Sequence, residues 1–512
     1  MKVIKKISFK QKGATLILAA FIIALAATVY VLKAYDPAQL RLEQDKKTYL
    51  ALNEAKQALI SWAVSNSVNP GQMPFPDRNA DGNYDGRSDC PSPVSAFSHS
   101  FLIGQLPLYG QTNPCISPQA GLGINTKDGG GNPLFYAVSR NLVHKYDAPT
   151  GNPIINPSII SSPTYPWLKV LDANGVPFSN RVAAVIIAPK DAIGSQDRTG
   201  VANIINYLDT FLIGSATFSN SDYDSNDEDF VINRNSMDVN DKLVYVTIDE
   251  LIDSLNSRAS SDGANLLNQY RTKNGQFPYA ANLGSALNNH DSSGVITKGM
   301  IPIDVTDTCG CASSTSCSCS FNPILNVEFK KDIGLAWTSD AGSCKRLAAS
   351  CTCTGAGSCN QAAEMFSCDA NGLCANNVAG SYIYSVPIYA DIYSASLGCD
   401  ITGTQAVCDN AGTFEIGLKE PNWFKINLWQ DYIYYEWSAT NSLQLGGRVS
   451  LAAILINTGQ TNLGQDRTLP TNNTLIQNYL DSVENTDGNN IFEASNKHKD
   501  SNYNDQPFIV AP

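Results

Sequence analysis

The hydrophobic pattern of the chain opens with an unbroken apolar run. No charged residue interrupts the 19 residues from 14 to 32, and Lys33 is the first charge after them. As an α-helix this run would reach about 28 Å, close to the roughly 30 Å of a hydrocarbon core. Five lysines precede it, which favours a cytoplasmic N-terminus. The pattern predicts a single membrane-spanning helix and an exported body.

A second helical pattern follows Pro37. Its apolar residues recur mostly at three- and four-residue steps, as in an amphipathic helix, and we expect their stripe to pack on a sheet. They are Leu40, Leu42, Tyr49, Leu52, Ala55, Leu59 and Trp62.

The two halves of the chain contain an internal repeat. A helical stretch, a Gly-Gln-x-Pro turn, an aromatic strand, an apolar strand, a polar loop and a final strand occur twice in the same order. The matching segments include 71–75 and 275–279, 135–139 and 432–438, 194–199 and 464–468, and 206–209 and 478–481. The second helix, from about residue 248 to 270, contains Asp262-Gly263, a turn-like pair that predicts a break.

The first 34 residues resemble the prepilin signature of type IV pilins and type II secretion pseudopilins, in which a basic leader ends in Gly before an apolar helix. The resemblance implies a cut between Gly13 and Ala14 and methylation of the new N-terminus. Ala14 replaces the usual Phe, and Leu18 replaces the usual acidic residue. Loss of that acid indicates a minor subunit at a tip rather than a major polymerising pilin.

The predicted fold class is α+β: a long N-terminal membrane-spanning helix with two duplicated pilin-like heads, each a helix against an antiparallel sheet. The predicted domains are a basic leader at 1–13, a transmembrane half-helix at 14–34, a first head at 35–247 and a second head at 248–512. A cysteine-rich insertion at about 300–410 lies in the second head. The resemblance implies a single-pass protein of the bacterial inner membrane with a periplasmic body, located at the tip of a surface fibre after assembly.

Cysteine placement divides the chain. Cys90 and Cys115 lie in the first half, and the other twelve lie between residues 309 and 408. Disulfides are the default for an exported protein with an even number of cysteines. The weaker alternative is a metal cluster, because one-residue spacings without histidine differ from ordinary zinc sites. The twelve are Cys309, Cys311, Cys317, Cys319, Cys344, Cys351, Cys353, Cys359, Cys368, Cys374, Cys399 and Cys408.

An acidic stretch after the first Gly-Gln-x-Pro turn matches the first half of a calcium loop. Oxygen-bearing residues alternate and a glycine stands at the sixth position, but the usual twelfth-position Glu is replaced by Ser88. The alternative is an Asx-rich turn without an ion, and the residues leave both open. The candidate calcium ligands are Asp77, Asn79, Asp81, Asp85 and the carbonyl of Asn83.

Composition and scattered polar residues argue against two functions. The net charge is −12, and removal of the five leader lysines would leave −17, which disfavours nucleic-acid binding through bulk charge. Four histidines lie far apart without metal spacing, and the repeated Gln-Asp-Arg phrase has no accompanying base or nucleophile. We interpret this phrase as a loop brace and expect no enzyme.

Two functions remain open. The first is a minor pilin or pseudopilin that initiates or caps a fibre, with other pilin-like subunits, a prepilin peptidase and the inner membrane as partners. The alternative is a membrane-anchored binding or adhesion protein whose disulfide-rich module contacts a ligand outside any fibre.

Overall fold

The computed structural model describes most of the chain in two compact units. Unit 1 comprises Met1–Trp62, Met73–Gly151 and Trp167–Thr247, and unit 2 comprises Ala63–Gln72, Asn152–Pro166 and Ile248–Pro512. Side-chain positions in the first helix are described for residues 16–29. Between residues 307 and 418 the described parts are the strands given below. The other described residues are 14–34, 37–78, 84–90, 99–110, 120–143, 153–199, 203–223, 229–232, 239–284, 295–302, 422–462, 464–467, 474–493 and 502–512.

The helices of the described residues are long near the N-terminus and at the start of unit 2. The α-helices are α1 (Ala14–Ala34), α2 (Pro37–Ser65), α3 (Ile248–Asn274), α4 (Asn422–Ile426) and α5 (Val483–Thr486). Short 3-10 helices cover His99–Leu102, Arg140–Leu142, Pro157–Ile160, Ile204–Asn206, Trp429–Tyr432 and Ile476–Asn478.

The predicted fold class is wrong in its membrane-spanning helix. Among the residues that the structure describes, no helix has both the length and the hydropathy needed to cross a membrane. The predicted transmembrane segment and the predicted single-pass inner-membrane location are therefore wrong. The described part of the chain is rich in sheet.

Helix α2 buries its apolar stripe only towards its C-terminal end. It begins at Pro37, whose missing N–H costs nothing in the first turn. Leu52 and Leu59 are fully buried, whereas Leu42 is 71% and Tyr49 65% exposed. The predicted stripe is therefore packed from about residue 51 onwards.

Unit 1 is built on a six-stranded sheet in the order β1-β2-β4-β3-β7, with β8 also paired to β4. The long strand β4 pairs antiparallel with β2 and β8, and residues 182–188 within it are buried. A separate hairpin joins β5 and β6. The strands are β1 (Ile103–Gln105), β2 (Phe135–Val138), β3 (Leu168–Leu171), β4 (Pro177–Ala188), β5 (Thr210–Ile213), β6 (Ala216–Ser219), β7 (Asp229–Val231) and β8 (Lys242–Thr247).

The cysteine-rich segment of unit 2 is described as strands in small antiparallel sheets. The edge strand β9 (Lys298–Met300) precedes it. The strands are β10 (Asp307–Ser313), β11 (Ser316–Cys319), β12 (Phe329–Asp332), β13 (Thr338–Ser339), β14 (Ser343–Leu347), β15 (Ser350–Thr354), β16 (Gly357–Gln361), β17 (Glu364–Cys368), β18 (Cys374–Asn376), β19 (Ser381–Ser385), β20 (Ala390–Tyr393), β21 (Cys399–Thr402), β22 (Gln405–Cys408) and β23 (Phe414–Leu418).

The main sheet of unit 2 has the order β29-β27-β24-β9, and each neighbouring pair is antiparallel. This corresponds to β8-β4-β2-β1 of unit 1. A smaller sheet has the order β26-β25-β28. The remaining strands are β24 (Ile433–Trp437), β25 (Leu443–Leu445), β26 (Arg448–Leu451), β27 (Ala453–Asn457), β28 (Ile491–Phe492) and β29 (Gln506–Ala511).

Helix α3 is continuous, so the break expected at Asp262-Gly263 is wrong. A Cβ at Gly263 would lie 3.1 Å from the Ile301 side chain and 3.2 Å from that of Leu455. The glycine therefore allows a close approach between the helix and the residues it packs on, and this packing offsets its poor helix propensity.

Candidate functional site

A tyrosine contact that occurs in both units aligns them residue by residue. In β2, Tyr136 pairs with a residue of β4, and its hydroxyl donates to the carbonyl of Pro74 at 3.2 Å. In β24, Tyr435 pairs with a residue of β27, and its hydroxyl donates to the carbonyl of Pro278 at 3.0 Å. Both prolines belong to the Gly-Gln-x-Pro turns, so Tyr136 and Tyr435 are equivalent.

A glycine in each edge strand gives the same alignment. Gly104 lies opposite Tyr136, and Gly299 lies opposite Tyr435. A Cβ at Gly104 would lie 2.3 Å from the carbonyl oxygen of Asp77, and one at Gly299 would lie 2.0 Å from that of Ala281. Each glycine is needed because another backbone crosses the edge strand at that point. The equivalence of the strands therefore rests on two independent contacts.

A glutamine braces the polar loop of each unit. The Oε1 atoms of Gln196 and Gln465 accept the backbone N–H three residues upstream, at 3.1 and 3.0 Å. Their Nε2 atoms donate to Oδ1 of Asp209 and Asp481, both at 2.9 Å. Each glutamine therefore closes a tight turn and holds one carboxylate, which is buried in unit 1 and half-buried in unit 2.

An arginine two residues later completes each brace. Arg198 donates to the carbonyls of an Asn-Tyr pair at 3.0 and 3.2 Å, and Arg467 does so at 2.7 and 3.2 Å. The guanidinium carbon lies 4.9 and 5.1 Å from the tyrosine ring centroids. These contacts confirm that the Gln and Arg of the repeated phrase brace a loop. The Asn-Tyr pairs are 206–207 and 478–479.

Each braced loop ends in a pair of aspartates, of which Asp209, Asp241 and Asp505 are buried and Asp481 is half-buried. The N–H of Asp209 donates to Oδ2 of Asp241 at 2.9 Å, and the N–H of Asp241 donates back to Oδ2 of Asp209 at 3.0 Å. In unit 2, the N–H of Asp481 donates to Oδ2 of Asp505 at 3.0 Å. An asparagine amide also donates to Oδ2 of the second aspartate, at 3.1 Å in unit 1 and 2.7 Å in unit 2.

The second aspartate of each pair is left with one unsatisfied oxygen. Oδ1 of Asp241 and Oδ1 of Asp505 are buried without a hydrogen-bond partner among the described residues. Burial, followed by repulsion from Asp209, raises the pKa of Asp241 well above its ordinary value. Burial, followed by repulsion from Asp481, raises the pKa of Asp505 to about 7. A proton on the unsatisfied oxygen explains how a second carboxyl group is buried beside the first.

A cavity of about 340 Å³ in unit 2 brings together a second set of polar side chains. Lys298 of β9 lies directly opposite Glu436 of β24, and Tyr434 lies two residues before Glu436 on the same strand face. We call Lys298, Tyr434 and Glu436 the polar trio. Apolar side chains line the same cavity, among them Leu283, Ile476 and Phe492.

The carboxyl group of the polar trio is held in an apolar wall. The Tyr434 hydroxyl donates to Oε2 of Glu436 at 2.6 Å. Glu436 is 6% exposed, and Tyr434 belongs to a core cluster that also contains Leu443, Ile454 and Ile456. Burial raises the pKa of Glu436, while the Tyr434 bond and Lys298 act in the opposite direction. The carboxyl is thus close to neutral apolar side chains and faces a cavity.

Unit 1 has no polar group at the three equivalent positions. Counted from the matched tyrosines and glycines, these are Ile103, Phe135 and Ala137. We call them the apolar trio. They are 7%, 0% and 0% exposed. The sheet therefore folds without a phenol, a carboxyl or an ammonium group at these positions.

The predicted calcium ligands are only partly described. Oδ2 of Asp77 accepts the N–H of Gly86 at 2.7 Å. Oδ1 of Asp85 accepts the N–H of Arg87 at 2.8 Å. Within the described residues no group of three or more His, Cys, Asp or Glu side chains is arranged to hold a metal ion. Calcium stays a prediction, because Asn79, Asp81 and Asn83 lie outside the described residues.

The cysteines and the processing junction also stay partly outside the described chain. Cys90 is disulfide-bonded, whereas Cys115 and Gly13 lie outside the described residues. Ala14 is the first residue of α1. Opposite residues of neighbouring strands have Cα atoms about 4.5–5.5 Å apart, within the disulfide range. Cysteines that lie opposite each other are 309 and 319, 311 and 317, 344 and 353, 368 and 374, and 399 and 408.

No family model matches the chain, and neither a curated protein nor a solved structure gives a significant match. The residues that the two units share indicate what the repeated fold requires.

The polar trio was not predicted from the sequence. The segments 135–139 and 432–438 were matched as aromatic strands, and this match was used to detect the repeat rather than the differences within it. Once Tyr136 is matched to Tyr435, the same alignment places Phe135 against Tyr434 and Ala137 against Glu436. These two mismatches can be read from the sequence, and they indicate that the second unit has polar residues where the first has apolar ones.

Proposed function

We propose that the chain is a non-enzymatic structural subunit, a minor pilin or pseudopilin that initiates or caps a fibre. The observation that carries the proposal is the junction at Gly13, followed by a helix that begins at Ala14 and is apolar throughout most of its length. A fibre subunit needs such a helix because neighbouring subunits associate through it.

The exposed side chains of α1 support this assignment. Leu16 is 76%, Ile17 71% and Phe21 67% exposed. At about 100° per residue Leu16 and Ile17 lie on different sides of the helix, and Phe21 lies on the same side as Ile17. Apolar surface of this extent is removed from water only by apolar neighbours, and the helices of other pilin-like subunits are the proposed neighbours.

The repeated loops support a structural rather than a catalytic role. Their Gln and Arg side chains bond mainly to backbone carbonyls and to a carboxylate within the same unit. Such contacts hold a loop in one conformation. Residues that only position backbone in this way need no substrate, which fits a subunit whose task is assembly.

N-terminal sequencing after co-expression with a prepilin peptidase tests the proposal. We expect the chain to begin at Ala14 when the peptidase is present and to keep its leader when it is absent. A Gly13→Val variant should stay uncut, because the larger side chain alters the residue at the cleavage point. A wild-type chain that stays uncut beside an active peptidase contradicts the proposal.

Fibre association is the second part of the test. Cut chains should co-purify with other pilin-like subunits in a sheared-fibre fraction, and Gly13→Val chains should not. If the cut chain is found without such subunits, it is a binding protein outside a fibre, which is the alternative function.

A further inference from the structure

The duplication supplies an internal control for the cavity of unit 2. The polar trio replaces an apolar trio on strands that pair in the same register and carry the same tyrosine and glycine contacts. Burying a carboxyl group and a phenol in an apolar wall opposes folding unless their polar atoms are satisfied. Since unit 1 forms the same ladder without them, the polar trio is not required by the sheet.

The two charges of the polar trio do not satisfy each other. Glu436 accepts a hydrogen bond from Tyr434, and no other hydrogen bond or ion pair to Glu436 or Lys298 occurs among the described residues. Lys298 Nζ instead lies near Gly488, 3.5 Å from the position that a Cβ would take there. One carboxyl and one ammonium group therefore line the same cavity with bonding capacity left for a ligand.

The apolar walls of the cavity indicate which group such a ligand carries in addition to its charged groups. Leu283, Ile476 and Phe492 line the cavity, and all three belong to or pack against the core cluster of unit 2. A volume of about 340 Å³ is at the lower end of small-molecule sites, which start near 300 Å³. The cavity fits a compact ligand with one apolar group.

We propose that this cavity binds a small zwitterion with an apolar side group, of the class of a free α-amino acid such as leucine, with its ammonium at Glu436 and its carboxylate at Lys298. Side chains that lie directly opposite on antiparallel strands have Cβ atoms about 5 Å apart, so one small molecule reaches both groups. The Tyr434 hydroxyl holds the Glu436 carboxyl in place for the ammonium. The apolar side group lies against Phe492 and its neighbours.

Calorimetric titration of the full chain with L-leucine tests the proposal. Two comparison ligands each lack one charge: 3-methylbutylamine has no carboxylate, and 4-methylpentanoate has no ammonium. We expect leucine to bind at least about tenfold more tightly than either, because each lost charge-assisted contact costs about a factor of ten or more. Equal binding of the amine or of the carboxylate overturns the zwitterion assignment, and so does the absence of leucine binding.

Variants of the polar trio locate the binding. Glu436→Gln and Lys298→Met should each weaken leucine binding about tenfold. Asp487→Asn and Arg448→Gln are the matched controls, because they remove the same charges from exposed positions of unit 2. Controls that weaken binding as much as the trio variants overturn the assignment to this cavity.

A triple variant separates loss of binding from loss of folding. Lys298→Ile, Tyr434→Phe and Glu436→Ala together give unit 2 the apolar trio that unit 1 already contains. We expect it to fold, with an unchanged circular dichroism spectrum, and to show no leucine binding. If it folds and still binds leucine, the polar trio is not the site.

Discussion

The two units contain sheets whose strands pair in the same register, but three equivalent positions on these sheets differ in their side chains and their surroundings. Both contain an edge strand, an aromatic strand, an apolar strand and a final strand in antiparallel order. In unit 1 the apolar trio is buried, and in unit 2 the polar trio lines a cavity. The braced loops, by contrast, keep the same hydrogen bonds in both units. What the units share therefore identifies the requirements of the fold, and what they do not share identifies candidates for function.

Among exchanges of the residues that differ between the two units, the largest loss of stability is expected in unit 1. Ala137→Glu places a carboxyl group where the native residue is fully buried. We expect a loss of about 4–5 kcal/mol in the free energy of unfolding, the range for an unpaired buried charge. Urea denaturation followed by circular dichroism measures it.

The reciprocal change in unit 2 is the control for Ala137→Glu. Glu436→Ala combined with Tyr434→Phe removes the buried carboxyl and its donor together, so no unsatisfied partner is left. We expect a change within about 1 kcal/mol, because replacing both partners of a buried hydrogen bond is nearly neutral. Equal losses for the two exchanges would contradict the conclusion that the sheet does not require the polar trio.

Sequence patterns predicted the order of the repeated elements better than their packing. Matching phrases around Gln196 and Gln465 located both braced loops, because these loops depend on local turns and short polar contacts. The continuity of α3 could not be predicted, because the cost of Gly263 is offset by its contacts with Ile301 and Leu455, which are distant in sequence. Helix α1 was predicted from hydropathy alone, and hydropathy does not distinguish a lipid neighbour from an apolar protein neighbour.

The candidate site was predictable only in part. Asp209 and Asp241 are 32 residues apart, and their reciprocal bonds depend on how the final strand returns to the loop. Their counterparts in unit 2 were visible as repeated phrases, but nothing in the phrases showed that the carboxyl groups meet. The cavity depends on α5 and β28 as well as on β24, and this arrangement is a tertiary feature without a local sequence signal.

Replacing the arginine of either braced loop should lower the free energy of unfolding by about the same amount. Arg198→Ala and Arg467→Ala each remove a guanidinium that bonds to several backbone carbonyls of its loop. We expect a loss of about 3 kcal/mol in the free energy of unfolding for each, because the carbonyls and the paired aspartates lose their donor or cation. Urea denaturation with Arg448→Ala as the exposed control tests this expectation. A large cost in one unit and none in the other would contradict the equivalence of the loops.

The last expected effect depends on pH and concerns the second aspartate of each pair, Asp241 and Asp505. The pKa of Asp505 is raised to about 7 by burial and by Asp481, with Arg467 opposing and Tyr503 also nearby. The folded protein therefore binds more protons than the unfolded chain between about pH 4 and pH 7, and stability falls as pH rises through this window. Asp505→Asn mimics the protonated acid, so it should gain up to about 4 kcal/mol relative to the wild type near pH 8. Asp487→Asn, at an exposed position, is the control. Asp241 acts in the same direction in unit 1, so part of the pH slope should remain in Asp505→Asn and become smaller in the double variant Asp241→Asn, Asp505→Asn. A residual slope of the same sign should persist in the double variant, because burial also raises the pKa of Asp209, Asp481 and Glu436. Urea midpoints measured from about pH 5 to pH 8 give these slopes. A double variant with the wild-type slope would show that the two buried carboxyl groups do not hold the protons that the shared loop geometry assigns to them.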